Sequence, residues 1–203
     1  AELADVRSTD RVLDPTCGSG SFLVVAHSRG ADVDGMELDP ELVMLCRLNL
    51  ALHGANPRAV RHVDLFRDRD EDVWDVILAN PPFSVMVTDP EALAGFTLAE
   101  GRQQVPSDTL FLEAAWRRLR PGGRLATVLP HSFLVNESFA PLRDWIDARF
   151  VRRAVVSLPE GVFRPFGGTA TRACLVCLAR RPAQLKPWLA ARIRHPGFDP
   201  SRK

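Results

Sequence analysis

The sequence lacks the features that define several common classes of protein. Its 203 residues contain no apolar run near the ~18 residues that a membrane-spanning helix needs, and no signal-peptide pattern. There is no internal repeat and no low-complexity stretch. With 46% hydrophobic and 25% charged residues, the chain has the composition of one globular domain that is large enough to bury a core.

Cysteine is scarce, and its spacing does not indicate a metal or redox site. Of the four cysteines, Cys174 and Cys177 form a C-x-x-C, but they lie in "TRACLVCLAR", which is typical of a strand. Residues three apart on a strand point to opposite faces, so we expect two buried thiols there rather than a zinc or disulfide pair. We therefore predict no metal site and a reducing, cytoplasmic location.

No lysine occurs before Lys186, and this excludes a P-loop in the glycine-containing segment "DPTCGSGSFL", residues 14–23. A dinucleotide-binding loop would have a third glycine where Leu23 stands, so a pyrophosphate ligand is disfavoured as well. Asp14, at the mouth of the loop, instead suits a ligand with an ammonium group. Gly18 and Gly20 allow a tight turn and a close approach of the backbone to a ligand, although an ordinary strand-to-helix turn also explains the glycines.

Strand-like apolar runs alternate with amphipathic helical patterns. The predicted strands are "RVLDPTC", "ADVDGMEL", "AVRHVDLF", "DVWDVILANPP", "RLATVLP", "RRAVVSLP" and "RACLVCLAR". Helical patterns follow the first, second, fourth and fifth of them, which predicts an α/β fold with a mainly parallel sheet and helices on both faces. The last two strands have no helix between them and are expected to pair antiparallel. "PAQLKPWLAARI" is a further helix candidate, although Pro187 opposes it.

Two acidic residues close the second predicted strand in "GMELDP". Glu37 lies 23 residues after Asp14, which is the spacing at which a carboxylate accepts hydrogen bonds from a ribose diol. Asp39 precedes Pro40 and is expected to be the N-cap of the following helix. Asp64, which ends the third strand in "HVDLF", is either an acceptor for an adenine amino group or a solvent-exposed loop carboxylate.

The fourth strand ends in Asn80-Pro81-Pro82-Phe83. Two consecutive prolines remove two backbone donors and fix two φ angles, so the strand stops in one rigid shape. This stop directs the Asn80 amide and the Pro81 carbonyl, two acceptors, toward one point where they can hold an exocyclic amino group. Phe83 offers a ring for stacking a planar base or amide. The pattern predicts catalysis by positioning, with no covalent nucleophile.

Taken together, these segments resemble the catalytic core of N6-adenine DNA methyltransferases, especially the modification subunits of type I restriction systems. "DPTCGSGSFL", "GMELDP" and "HVDLF" resemble the cofactor segments of that family, "NPPF" its catalytic tetrapeptide, and "LPEGVF" with the last strand pair its later part. The resemblance implies a class I S-adenosylmethionine-dependent methyltransferase, which is a Rossmann-like, seven-stranded, mostly parallel sheet with an antiparallel last strand. NPP followed by an aromatic residue also occurs in rRNA and release-factor glutamine methyltransferases.

The resemblance also implies roles for individual residues. The catalytic set is Asn80, Pro81, Pro82 and Phe83, and the cofactor-binding set is Asp14, Thr16, Cys17, Gly18, Gly20, Phe22, Glu37, Leu38, Asp64, Leu65 and Asn80. The implied cofactor is S-adenosylmethionine and the implied substrate an adenine flipped out of double-stranded DNA. An inactive S-adenosylmethionine-binding subunit of a DNA-binding complex is the alternative from another class.

Two features of this family are not found in the sequence. The segment that precedes the glycine loop in the family would lie upstream of Ala1, so residues 1–180 are expected to be the catalytic domain without that segment, followed by a tail at 181–203. A target-recognition domain is missing too, so a specificity subunit or a further domain is expected to read the DNA sequence.

Charge is divided unevenly along the chain. Residues 1–139 have a net charge of −8 and residues 140–203 one of +9, within a total of +1. Arginines after residue 140 either contact the phosphates of a nucleic acid or form a solvated surface. His131 and the loop "RPFGGTAT" (164–171) either touch the substrate or have no role.

Overall fold

The computed structural model describes residues 1–70, 72–83, 85–163, 172–184 and 187–195. The strands are β1 (Arg11–Asp14), β2 (Asp32–Glu37), β3 (Val60–His62), β4 (Trp74–Ala79), β5 (Met86–Val87), β6 (Val105–Pro106), β7 (Leu119–Pro130), β8 (Phe150–Ser157), β9 (Ala173–Arg180) and β10 (Leu189–Arg192). The helices are α1 (Ser21–His27), α2 (Pro40–Leu52), α3 (Pro90–Leu93), α4 (Ser107–Arg118), α5 (Ser132–Val135) and α6 (Ala140–Arg149). Short 3-10 turns cover Pro57–Ala59, Thr97–Ala99 and Glu137–Phe139.

The main sheet has the strand order β10-β8-β9-β7-β4-β1-β2-β3. All neighbouring strands are parallel except that β9 runs antiparallel to both β7 and β8, which confirms the predicted last pair. β1 and β4 are direct neighbours, with Val12 opposite Val76 and Leu13 opposite Ile77. The order therefore reverses between them, and the carboxyl ends of these two strands form the crevice in which open α/β sheets bind ligands.

Helices cover the two faces of the sheet, as the alternating pattern predicts. On one face α1 and α2 enclose a core that includes Leu23, Val43 and Cys46. On the other face α4 and α6 enclose a larger core that includes Phe111 and Ile146. The buried apolar residues of α1, α2 and α6 recur at helical spacing, whereas α4 is buried over most of its surface, and this burial holds the helices on the sheet.

The C-x-x-C lies on β9, as predicted. Cys174 belongs to the core under α4 and α6, whereas Cys177 belongs to the core under α1 and α2, so the two thiols are buried on opposite faces. Burial raises the pKa of Cys174 to about 12 and that of Cys177 to about 11. Both are therefore thiols, not thiolates, at neutral pH.

The structure differs from the sequence-based expectation at two places. The helix expected in "PAQLKPWLAARI" is wrong where the structure describes it, because Leu189–Arg192 forms β10, an eighth strand that pairs parallel to β8. β5 and β6 pair antiparallel in a separate two-stranded sheet that the sequence did not predict. None of the helices in the described part of the chain has the length and apolar character that crossing a membrane requires.

Candidate functional site

The glycine loop follows β1 and turns directly into α1. Its two glycines adopt left-handed backbone conformations, with φ of 52° at Gly18 and 83° at Gly20. A Cβ atom at Gly20 would also lie only 2.5 Å from the Sγ atom of Cys46 on α2. Glycine is therefore required at position 20 both by the turn and by the close packing of α2 against the loop.

Asp14 ends β1 as a buried carboxyl, with 2% of its surface exposed. Its Oδ1 atom accepts a hydrogen bond from the backbone N–H of Thr16 at 3.1 Å. Burial, with a smaller effect from the negative charge of Glu37, raises the pKa of Asp14 to about 7, while the Thr16 hydrogen bond acts to lower it. A cation bound beside Asp14 would favour its ionised form, so this carboxyl suits a ligand with an ammonium group.

Glu37 joins the end of β2 to the glycine loop. One carboxylate oxygen accepts the Gly18 N–H at 2.8 Å, and the other accepts the N–H groups of Leu38 at 2.7 Å and Asp39 at 2.9 Å. A carboxylate has about four lone-pair sites, so three backbone donors leave room for about one more. Glu37 therefore fixes the loop and is oriented by it, and a diol would have to share the carboxylate with these donors.

Asp39 is the N-cap of α2, as expected. Its Oδ1 atom accepts hydrogen bonds from the backbone N–H groups of Glu41 at 2.8 Å and Leu42 at 3.3 Å. Asp64, two residues after β3, caps its own turn in the same way, since its Oδ1 accepts the Phe66 N–H at 2.8 Å. The Oδ2 atom of Asp64 lies 4.0 Å from the Arg67 guanidinium and is the oxygen left for a ligand.

The remaining members of the predicted cofactor set occupy two kinds of position. Cys17 and Leu65 are buried in the two cores, so their backbone atoms, rather than their side chains, are the candidates for ligand contact. A hydrogen bond with Cys46, together with burial, raises the pKa of the Cys17 thiol. Leu38 is exposed beside Glu37, whereas Phe22 is exposed in a separate groove of about 370 Å³ on the α1 face.

The hydroxyl of Thr16 is an unsatisfied polar group in the glycine loop. Its Oγ1 atom is buried and has no hydrogen-bond partner among the described residues. A buried hydroxyl without a partner costs about 1–3 kcal/mol, so such groups are usually satisfied by a ligand or by water. Thr16 therefore fits a bound polar ligand in the loop.

Asn80 follows β4 immediately, next to the end of β1. Its residue surface is exposed, and its side chain has no hydrogen bond to any described residue. Pro81 is buried and anchors the turn, while the carbonyl of Pro82 accepts a hydrogen bond from Ser107 Oγ at 2.9 Å. Asn80 is thus held by a rigid backbone at the carboxyl end of β4, and its amide is left for a ligand.

Two groups of residues that pack around this turn were not predicted from the sequence. Ser107, Asp108 and Thr109 are all buried at the start of α4, directly behind the turn, where the helical pattern would place core residues. Three consecutive polar residues at core positions of a helix are the pattern that could have indicated a site here. The second residue that was not predicted is Phe163, in "LPEGVF" after β8. Its ring centroid lies 6.4 Å from that of Phe83, at an interplanar angle of 78°.

The rings of Phe83 and Phe163 therefore form two walls at nearly a right angle, and Phe83 is three residues from Asn80 in the chain. Aromatic rings at this distance and angle make an edge-to-face pair, and both remain half-buried rather than fully enclosed. A planar group can stack on one ring and contact the other at its edge.

Loop residues 164–171 lie outside the described residues, as does Ser84. The described side chains form no cluster of three or more His, Cys, Asp or Glu that could hold a metal ion.

Comparison with known proteins gives a consistent result. The sequence model of the N-6 DNA Methylase family matches residues 1–189. The chain is 30% identical, over 82% of its length, to the type I restriction enzyme EcoEI methylase subunit of Escherichia coli, of which it spans 38%. It is also 32% identical, over 88% of its length, to the tRNA1(Val) (adenine(37)-N6)-methyltransferase of Tolumonas auensis, of which it spans 72%.

A solved structure shows the same fold. A protein of Listeria monocytogenes assigned to the class I S-adenosylmethionine-dependent methyltransferases superposes with a TM-score of 0.81, at 22% identity, over 98% of this chain and 63% of its own. The strand order and the single antiparallel strand β9 agree with that class. The predicted fold class is therefore confirmed, with β10 added at one edge.

Proposed function

Because the chain belongs to the N-6 DNA methylase family, we propose that the complete protein methylates the N6 amino group of adenine in double-stranded DNA. The observation that carries this proposal is the Asn80 amide, which is exposed and without a partner among the described residues, beside the ring pair of Phe83 and Phe163. An amide acceptor next to an aromatic wall matches an aminopurine, which has a π-face and an exocyclic donor in one plane.

The residues of the crevice fit S-adenosylmethionine as the methyl donor. Asp14 is a buried carboxyl that a cationic ligand would ionise, Thr16 Oγ1 is a buried hydroxyl that needs a partner, and Glu37 has room for about one more donor. When bound, S-adenosylmethionine supplies a methyl group on a sulfonium for attack by the adenine nitrogen. We assign the ammonium group to Asp14, the ribose to Glu37 and the adenine side to Leu38 and Asp64.

In this proposal the chain acts by holding the target nitrogen. The Asn80 Oδ1 atom and the Pro81 carbonyl accept hydrogen bonds from the two N6–H groups, which keeps the nitrogen lone pair directed at the methyl group, and one N6 proton is lost to solvent after the transfer. Phe83 stacks on the flipped base and Phe163 contacts its edge, which offsets part of the few kcal/mol that unstacking costs. Pro81 and Pro82 keep these groups in place without reorganisation.

The complete protein is proposed to work in a restriction-modification or related DNA-defence system. The E. coli relative is a subunit of a type I restriction enzyme, and the chain spans 38% of that subunit. We therefore assign sequence recognition to a target-recognition domain or a specificity subunit outside these residues. The four cysteines are free thiols, which supports a reducing, cytoplasmic location.

Methylation of adenine N6 in RNA is the second candidate. The relative from T. auensis is a tRNA adenine-N6 methyltransferase, and this chain spans 72% of it at 32% identity. The same amide and aromatic pair would hold an adenine of either nucleic acid. A release-factor glutamine substrate, or an inactive cofactor-binding subunit, has less support, because the matching family is named for N-6 DNA methylation and the relative from T. auensis for adenine N6 methylation.

The proposal is tested by nucleoside mass spectrometry on cells that express the complete protein or its Asn80→Ala variant. N6-methyladenine in DNA that disappears in the variant is the expected result. An Asn80-dependent mark in RNA, with DNA unchanged, would move the assignment to the second candidate. A mark in neither, with intact cofactor binding, would favour a binding subunit.

A further inference from the structure

Four basic side chains line a concave surface of about 740 Å³ at the carboxyl edge of the sheet, on the far side of β4 from the glycine loop. They are His131 after β7, Arg172 before β9, and Arg192 and Arg194 at the end of β10. We call this set the basic edge. The other lining residues are Ser157, Leu158, Pro159, Glu160 and Ile193.

Backbone hydrogen bonds hold the basic edge on the sheet. The His131 N–H donates to the Arg172 carbonyl at 2.8 Å, and the Ile193 N–H donates to the Ser157 carbonyl at 2.9 Å. Arg192 is also in register with Ser157 in the pairing of β10 with β8. The residues of the basic edge are therefore held in place through their backbone, and their side chains extend from it.

The arginines of the basic edge are little used by the fold. Arg192 and Arg194 are exposed and make no hydrogen bond or ion pair with any described residue. Arg172 has one carboxylate neighbour, Glu160, at 3.6 Å, and both side chains are more than half exposed, at 59% and 58%. An exposed ion pair of this kind contributes about 0–1 kcal/mol and is easily exchanged for another anion.

The dimensions suit a nucleic-acid backbone. Neighbouring strands lie about 4.8 Å apart, so the three spacings from β7 to β10 cover about 14 Å, beginning one strand away from β4. One DNA strand has a phosphate every ~3.4 Å along the axis, so this length corresponds to about four nucleotides. Guanidinium groups bind phosphates in a bidentate way, and such contacts orient a duplex without reading its sequence.

We propose that the basic edge binds the phosphodiester backbone of the DNA that flanks the target adenine. This inference rests on the proposed function, which places the adenine at Asn80, and adds a surface that positions the duplex. A DNA duplex is the occupant because the proposed substrate is a duplex, and the row of charges begins one strand away from β4, which Asn80 follows. The sequence-independent part of DNA affinity should depend on these arginines.

The test compares two variants of the complete protein that lose the same charge. One carries Arg172→Gln, Arg192→Gln and Arg194→Gln. The control carries Arg7→Gln, Arg29→Gln and Arg58→Gln, three exposed arginines at the opposite edge of the sheet. Affinity for a duplex of random sequence is measured by fluorescence anisotropy at several salt concentrations, and S-adenosylhomocysteine binding by calorimetry. Thermal unfolding confirms that each variant is folded.

The basic-edge variant should bind the duplex about tenfold or more weakly, with the slope of log K against log salt reduced by about 2–3, since each phosphate contact contributes about 0.9. The control should keep the wild-type slope. A variant with lysine in place of Arg172, Arg192 and Arg194 should keep most of the wild-type slope as well. Cofactor binding should be unchanged in all variants. A basic-edge slope equal to that of the control would overturn the proposal.

The outcomes separate this inference from the proposed function. If DNA adenine is methylated but the basic-edge variant has an unchanged salt slope, DNA binding by the basic edge is refuted and the proposed function is retained. If the salt slope is reduced but no N6-methyladenine is formed, DNA binding by the basic edge is retained and the proposed function is refuted. Weaker binding to a tRNA probe, with duplex binding unaffected, would overturn the assignment to DNA.

Discussion

The carboxyl edge of the sheet is acidic on one side of β4 and basic on the other. β1 and β2 end in Asp14 and Glu37, Asp39 follows β2 by two residues, and Asp64 follows β3 by two residues. Across β4, the basic edge contains His131, Arg172, Arg192 and Arg194. Asn80 carries no charge and lies between the two halves. The division matches a cationic small ligand on one side and a polyanion on the other.

The two halves also differ in how far the fold uses their charges. Asp14, Glu37, Asp39 and Asp64 each accept at least one backbone hydrogen bond, so the acidic half is fixed before any ligand arrives. Two of the arginines across β4 have no partner among the described residues. Preorganised acceptors suit one ligand of defined shape, whereas free guanidinium groups suit a backbone that varies in sequence.

The largest effect is expected where the halves meet. Asn80→Ala removes the amide acceptor from the amino nitrogen and should lower the rate of methyl transfer by about 10²–10³-fold, as loss of a transition-state hydrogen bond does. Asn80→Asp keeps an acceptor oxygen and should lose less. Single-turnover methylation measures the rate, and calorimetry should find most of the cofactor affinity intact. A rate in Asn80→Ala close to wild type would refute the catalytic role.

The next effect concerns the acidic half alone. Asp14→Asn removes the carboxylate proposed to hold the cofactor ammonium and should weaken S-adenosylhomocysteine binding about 10- to 100-fold, since a charge-assisted hydrogen bond is worth about 1.5–3 kcal/mol. DNA affinity should not change. Calorimetry and anisotropy measure the two affinities, with the exposed Asp32→Asn as the control. Equal cofactor affinity in both variants would exclude this role for Asp14.

The same substitution should stabilise the ligand-free protein at alkaline pH. The pKa of Asp14 is about 7 in the folded protein and about 3.9 when unfolded, so its stabilising contribution is full below about pH 4 and is lost as the pH rises through 7. Asp14→Asn avoids this loss. Its melting temperature should exceed that of the wild type at pH 8 and approach it near pH 5, as scanning calorimetry can measure. A constant difference across this range would contradict the raised pKa.

Phe163→Ala should have an effect of intermediate size, and only on the binding of the DNA substrate. A base loses about 1–3 kcal/mol when an aromatic contact is removed, so KM for DNA should rise about 5- to 100-fold while cofactor affinity stays the same. Phe139→Ala breaks a similar edge-to-face pair, with Phe133 at 6.0 Å, and is the control for lost packing. The two variants should differ in KM and not only in stability.

The smallest effect is expected from Ser107→Ala. It removes the hydrogen bond to the Pro82 carbonyl, worth about 1 kcal/mol, and should lower methyl transfer a few-fold by loosening the turn. Ser28→Ala removes a comparable bond, from Ser28 Oγ to the Val25 carbonyl at 2.8 Å, far from the crevice. Only the Ser107 variant should affect kcat, and parallel losses in both would mean that the effect is general destabilisation.

Much of the acidic half could be predicted from sequence because its signals are local. Asp39 followed by Pro40 identified an N-cap, and the alternation of strands and helices predicted the mainly parallel sheet. The pattern Asn80-Pro81-Pro82-Phe83 indicated a rigid strand end. In each case the physical cause lies within a few residues: a cap, a fixed φ angle or an apolar period.

The other half depends on contacts between distant parts of the chain. Phe163 reaches Phe83 from 80 residues away, and Ser107 reaches Pro82 from 25. Leu189–Arg192 forms a strand because the edge of β8 offers unpaired backbone groups, which outweighs the weak helical preference of "PWLAAR". No local pattern encodes these pairings, and so neither the second aromatic wall nor the eighth strand was predicted.

The most direct test of the account is a methyl-transfer assay with the purified complete protein. S-adenosylmethionine with an isotopically labelled methyl group is incubated with a mixture of duplex DNA and tRNA, and the nucleosides of each are analysed by mass spectrometry. We expect label in N6-methyladenine from the DNA, and its loss in Asn80→Ala. Label confined to the tRNA, or label in DNA that survives in Asn80→Ala, would contradict it.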